Sequence, residues 1–423
     1  MIIGTLVSLP RKRLAATLVA LVGCAWAGLA VFAAPLPAST WVALPPLPQQ
    51  GERAIFAVGV NPFNSQIVVA GTAEGSLYRS ADGGSTWKLA DTAPSGFLTA
   101  AFSSLKVGLV LAGTRASGAF VSRDGGLTWA AAKGLEGRSV RVFGFALTLV
   151  AAGTDHGVYV SADGLVWRQS GLPNTSIGAL AVAAIHDPVR LVAGSDTVSA
   201  VGGTPLYQST DGGATWAQLR ATISGKVVSY LAAGPLPPAS NVRPLMVGTN
   251  AGLFTSRDNG ASFTPNSGGG LLPSTDYTQV AFMTTHYDRY YTASDGGGSA
   301  SGGLWKTLDA GRHFASLAPP VASVTALAVS NEEAPILYVA TFRPADHVAV
   351  LWAYHDTGGT PQGPPASATP STSGTRTTTP GATQTSLISQ LLTSSRTPYI
   401  LVGLAAMVVI VMAVVAHFRG RRG

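Results

Sequence analysis

The chain has 423 residues, of which 46% are apolar and only 11% charged, with 50 glycines. This is room for one large domain or two ordinary ones, and short Val/Ala/Leu/Thr runs between turn residues predict an all-β protein. The net charge is +7, but seven of the 27 Lys and Arg (Arg11, Lys12, Arg13, Arg396, Arg419, Arg421 and Arg422) flank apolar segments, and the rest are balanced by 20 Asp and Glu. The excess reports membrane topology and argues against a basic nucleic-acid-binding stripe.

The first segment, 1–34, places Arg11-Lys12-Arg13 before an apolar run over 14–34. That length permits an uncleaved membrane anchor. It equally permits a cleaved secretory signal, with Ala25-x-Ala27 as the cleavage site. A third reading takes Leu21-Val22-Gly23-Cys24 as a lipobox with Cys24 as the lipidation site. All three stay open. Cys24 is the single cysteine, so no disulfide staples the chain and its stability comes from packing.

Next comes Ser-Thr-Trp-Val-Ala-Leu over 39–44, the tail of a motif without its head. The whole motif recurs as SADGGSTW (80–87), SRDGGLTW (122–129), SADGLVW (161–167), STDGGATW (209–216), SRDNGASF (256–263) and TLDAGRHF (307–314). Its aspartates, Asp82, Asp124, Asp163, Asp211, Asp258 and Asp309, are spaced by 42, 39, 48, 47 and 51 residues, the length of one four-stranded propeller blade. Each repeat runs in the same order: an apolar strand such as AIFAVGV (54–60), a loop, a strand ending in Gly-Thr such as LVLAGT (109–114), and a third strand such as GVYVS (157–161) that enters the motif. The motif spans a tight turn between the third and fourth strands. The Asp carboxylate accepts backbone N–H groups of its own turn, the glycines supply positive φ, and the aromatic residue (Trp87, Trp129, Trp167, Trp216, Phe263 or Phe314) packs between blades.

A seventh unit has two strands, VTALAV (324–329) and ILYVAT (336–341), then VAVLWAYHDTGGT (348–360), which holds the head of a motif around Asp356 but no Trp. Trp41 supplies the missing tail. The expected fold is therefore one seven-bladed β-propeller over 39–359, closed by a strand from the start of the folded part, because full closure alone removes exposed edges. Gly-rich SDGGGS (294–299) resembles the motif but reads as a loop of blade six.

The Pro/Ser/Thr-rich segment 360–397 cannot build a core and reads as a disordered stalk with a reach on the order of 35 Å. An apolar stretch over 399–418, followed by the basic tail 419–423, reads as a transmembrane helix with a cytoplasmic C-terminus and an extracytoplasmic propeller.

The six repeats resemble the Asp-box, or bacterial neuraminidase, repeat over roughly 320 residues. Propellers of this kind include sialidases, two-propeller xyloglucanases, sortilin-type receptors and the photosystem II assembly and stability factor family. The dense single ring is most similar to the last group, which implies a non-enzymatic protein that binds membrane-protein clients. A sialidase-like or xyloglucanase-like glycoside hydrolase, or a cell-surface carbohydrate binder, is the alternative. The arginine motif that sialidases carry before their first box is missing before Asp82; Phe342-Arg343-Pro344 matches it only in part.

Loops between second and third strands emerge opposite the boxes and carry Glu74, Arg115, Asp155, His156, Asp196, Asn250, Asp295, Asp346 and His347. Symmetry gathers them around the mouth of the central channel, which makes them the candidate ligand face. Hairpin loops are polar in any case, and no pair among them has a spacing that names a reaction. Glycoside hydrolysis asks for two carboxylates about 5–10 Å apart, and Glu332-Glu333 is the one adjacent acidic pair. The seven histidines show no HxH or HExxH spacing, and no phosphate-cradling loop occurs, so no metal or cofactor is expected.

Overall fold

The computed structural model describes residues 35–364, apart from 49–53, 200–201, 221–222, 269, 273–274 and 297–301. The segment 1–34 with Cys24, the apolar stretch 399–418, the basic tail and all but the first few residues of the expected stalk lie outside the described residues. Among the described residues no helix is long and apolar enough to cross a membrane.

Seven four-stranded antiparallel sheets form the blades of a β-propeller. Blades one to six occupy 55–92, 97–131, 140–171, 177–218, 228–265 and 279–316, each in simple chain order from inner to outer strand. Blade seven departs from that order. Its inner three strands are Val324–Val329, Ile336–Arg343 and Val348–His355, and its outer strand is Trp41–Ala43. Trp41 pairs with Tyr354, Val42 with Ala353 and Ala43 with Trp352. The pairing continues past 359: Thr40 bridges Gln362, whose carbonyl accepts the Trp41 amide at 3.0 Å. The first residues of the expected stalk are therefore part of the closure.

Among the described residues the core is divided into seven clusters, one at each interface between neighbouring blades. One of them joins Trp87 and Val68 of blade one to Tyr338 and Leu351 of blade seven. Another joins Leu304 and Tyr291 of blade six to Leu337 of blade seven, with Trp41 among them. Second strands such as Val110–Thr114 and Val150–Thr154 are buried along their whole length, because each has a blade on both faces. This explains their continuous small apolar sequences. It also explains the recurrent Gly before Thr. A Cβ at Gly113 would lie 2.5 Å from the Val140 carbonyl oxygen, and one at Gly248 would lie 2.1 Å from that of Tyr277. The next blade's backbone packs there, and only glycine admits it.

Candidate functional site

Five of the six aspartate turns share one geometry. In blade one the Ser80 hydroxyl donates to Asp82 at 2.7 Å and accepts the Gly84 amide at 2.8 Å. Asp82 in turn accepts the Thr86 amide and hydroxyl at 2.8 and 2.6 Å. Asp124, Asp211 and Asp258 repeat this with Thr128, Thr215 and Ser262. His313 fills that place for Asp309. Asp163, in the turn that is one residue short, accepts the Leu165 amide at 2.9 Å and pairs with Arg123. The Thr215 hydroxyl and then its amide hold the Asp211 carboxyl down to about 2, and Ser262 does the same for Asp258. These carboxylates are consumed by their own turns.

The aromatic that ends each turn joins the cluster shared with the preceding blade. Trp87, Trp129, Trp167, Trp216, Phe263 and Phe314 do this in blades one to six, and Trp41 does it in blade seven. Trp129, Trp167 and Trp216 donate their indole N–H to a glycine carbonyl of their own turn, whereas Trp41 donates across to Leu317 of blade six at 2.9 Å.

Asp356 needs correction. Tyr354 stands where the other turns have Ser or Thr, and the chain leaves the hairpin before a fourth strand, so the carboxylate has little turn to cap. It accepts one turn amide, Gly358 at 3.1 Å. Its main partners belong to blade six: Lys306 Nζ at 2.6 Å and the Tyr291 hydroxyl at 2.8 Å. It is a buried interblade ion pair.

The channel opens at two mouths. The mouth opposite the aspartate turns is a cavity of about 420 Å³ whose lining includes Phe56, Leu98, Arg115, Arg141, Gln279 and Asp295. Its wall is built by a recurrent irregularity. In six blades the first strand carries a register shift after its first residue, which leaves Phe56, Leu98, Arg141, Gly178, Ser229 and Thr325 without a partner on the second strand. A bulge of this kind re-aims a side chain, and four of these residues line the mouth.

Of the nine loop residues expected to gather there, Arg115 and Asp295 line the cavity. Asp196 reaches its edge by an ion pair with Arg141, which also donates to Ser176 at 2.9 Å. The others do not line it. Asp155 accepts the Ser139 amide and lies 3.2 Å from His156. Asn250 accepts the Lys226 amide at 2.9 Å. Asp346 forms a two-pronged pair with Arg343, Nε to Oδ1 at 2.8 Å and Nη2 to Oδ2 at 2.7 Å, and His347 packs edge-on to Phe342. Glu74 is exposed on its loop.

Asp276, unremarked by any motif, sits in the loop entering blade six. Burial pushes its carboxyl above the ordinary value; a hydrogen bond with Ser229 opposes the shift and the charge of Asp295 adds to it. Its Oδ1 is buried without a hydrogen-bond partner among the described residues. The Glu333 of the adjacent acidic pair lies elsewhere, bound to Arg289 at 2.7 Å and His286 at 2.9 Å.

The other mouth opens on the face of the aspartate turns, as backbone hydrogen bonds from Gly125 to Gly108 and from Gly212 to Val189 tie those turns to the first-to-second-strand loops. It is the larger cavity, about 580 Å³, with Phe102, Phe145, Ile185, Tyr230, Phe282 and Arg243 in its lining. A second cavity of about 270 Å³ adjoins it between blades five and six and shares Phe282. Tyr287 is 38% exposed and lines this cavity. Sequence reasoning missed Arg141, Asp276, Arg243 and Tyr287. The one available signal was length: the 234–244 connection is long and rich in proline for a loop between adjacent strands.

No family model matches the chain, and no curated protein matches it. Solved structures do. U3-55K is 13% identical, with 74% of this chain and 98% of that chain covered and a TM-score of 0.54. YCF48 bound to a D1 peptide is 16% identical, with 74% and 94% covered and a TM-score of 0.51. YCF48 from Cyanidioschyzon merolae is 15% identical, with 74% and 98% covered and a TM-score of 0.49. At these identities the likeness to U3-55K and peptide-bound YCF48 establishes the propeller fold.

Proposed function

We propose that this chain is an Asp-box propeller that binds polypeptide clients, held at a membrane by its apolar segments with the ring on the extracytoplasmic side, and that it serves the assembly or quality control of membrane or exported proteins. The observation that carries this reading is the larger mouth, an open cavity of about 580 Å³ whose lining residues are mainly apolar and aromatic and whose accessible surface mixes their side chains with polar groups. Such a cavity gains free energy by taking apolar side chains out of water. A rigid closed ring loses little conformational entropy on binding. A similarly folded protein, YCF48, has been seen with a D1 peptide bound, which supports the capacity of the fold. The uncharged run 399–418 and the basic residues beside it support the tether and its orientation.

A second reading rests on Asp276 and Asp295. A carboxyl held toward its protonated form beside a second carboxylate is what glycoside hydrolysis asks of its acid; the Asp276 carboxyl feels the charge of Asp295, and Asp295 lines the mouth with Arg115 and Arg141. One experiment separates the two. The full chain is chemically cross-linked in its own membranes and analysed by mass spectrometry, while purified protein is assayed for reducing ends released from cell-surface polysaccharide. A recurrent polypeptide with no sugar release supports the client reading. Sugar release that disappears in Asp276→Asn, with no recurrent polypeptide, replaces it by the second.

A further inference from the structure

The aspartate-turn face is uneven. In the sector of blades five and six the loop 234–244 stands between the two cavities: Pro235 and Arg243 line the larger one, while Pro237, Val242 and Pro244 line the smaller. Both share Phe282. Exposed apolar groups of this sector include Leu236, half exposed near the start of that loop, Tyr287, and Leu308 in the aspartate turn of blade six.

The charge of this sector is one-sided. Among the described residues that line the two cavities, three are arginines, Arg243, Arg257 and Arg312, and none is acidic. Arg257 is partly engaged by the Ala310 carbonyl. The guanidinium groups of Arg243 and Arg312 have no hydrogen-bond or ion-pair partner among the described residues. Arg243 is half-buried, and that burial depresses its guanidinium below the ordinary value. A cation that has lost water without gaining a partner is a liability to the isolated fold, and a carboxylate arriving in two-pronged geometry relieves it.

We propose that this sector docks an extended segment of the client in which a large apolar or aromatic residue stands next to an acidic one. The apolar side chain enters the cavity beside Phe282 and Tyr287, and the neighbouring carboxylate meets Arg243 or Arg312. The site rests on the client-binding reading and locates it on the face of the aspartate turns.

The test is fluorescence anisotropy of the detergent-solubilised full chain with a fluorescein-labelled peptide of Asp-Phe-Asp units between Gly-Ser spacers. Control peptides replace Asp by Lys or Phe by Ser. The expected result is binding of the first peptide and at least tenfold weaker binding of both controls. The double variant Arg243→Gln/Arg312→Gln is expected to bind at least tenfold more weakly at a melting temperature no lower than that of the wild type, and Arg243→Lys to fall between the two, because it keeps the charge and loses the two-pronged contact. Tyr287→Ser, an exposed position, gives a second variant that leaves the core intact. No binding by folded wild type, equal binding of the Lys peptide, or unchanged binding by the double variant overturns the site. Membrane cross-linking of the same double variant separates the two claims. A client still captured removes this site and leaves the client reading standing; a wild type that captures no polypeptide removes the client reading itself.

Discussion

Trp41 and Tyr354 face each other across the antiparallel ladder that closes the ring, with ring centroids 4.7 Å apart. Trp41 is fully buried and donates its indole N–H to Leu317 of blade six. One residue thus joins three elements: the closing strand, blade seven and blade six. Trp41→Ala removes a large buried ring and orphans a buried carbonyl, at a cost of about 3–5 kcal/mol. Urea unfolding of the variant shows a midpoint far below that of the wild type. An equivalent truncation at the less buried Trp129 costs less.

The Lys306–Asp356 pair is the second interblade lock. Both side chains are almost wholly shielded from water, so removing one partner strands the other charge, and Lys306→Met alone costs about 3–5 kcal/mol. The double variant Lys306→Met/Asp356→Leu is less destabilised than the sum of the two single variants, because neither charge is left alone. The Tyr291 hydroxyl still loses its acceptor, so recovery is partial. A double-mutant cycle by chemical denaturation measures the coupling.

Acid sensitivity follows from the turns. Asp211 and Asp258 have folded values of about 2, below the usual carboxylate range. A depressed carboxyl contributes stability that is complete above its unfolded value near 4 and lost as the pH falls toward 2. The melting temperature is expected to fall steeply between pH 4 and pH 2. Asp211→Asn/Asp258→Asn melts lower at neutral pH and shows a shallower decline over that interval.

Asp276 behaves in the opposite sense. Its value is raised in the folded state, so it costs stability as the pH climbs above the unfolded value near 4. Asp276→Asn is expected to melt higher than wild type at pH 7 and equally at pH 3. A variant that melts lower at pH 7 shows that the ionised carboxylate is a structural partner instead.

The fold was legible in the sequence because the repeat writes one blade at a time. Six aspartate turns fix the third-to-fourth-strand hairpins, and Ser39-Thr40-Trp41 completes the count of seven, as the closing ladder shows. The role of Asp356 was not legible, since a head without a tail still reads as a turn; only its distance to Lys306 shows otherwise. The lining of the mouth was hidden for a different reason. A bulge shifts the alternation by one residue, so Arg141 in VRVFGF gives no sign in sequence that it is the unpaired one. The loop ring was read from symmetry, but Asp346 pairs with Arg343 on its own hairpin, and Asp155 and Asn250 accept the Ser139 and Lys226 amides, which lie just before the first strands of their own blades. Arg243 and Tyr287 come from two different blades, and no spacing along the chain relates them.

The most direct measurement of the client reading is site-specific photo-cross-linking of the full chain in its own membranes. A photoreactive phenylalanine analogue is placed at Leu236 beside the larger mouth, at Leu98 in the opposite mouth, and at exposed Leu127 on an outer turn. The account predicts one recurrent polypeptide adduct from Leu236 and none from Leu127, with Leu98 reporting whether the same chain reaches the other face. Absence of any polypeptide adduct from both mouths contradicts it.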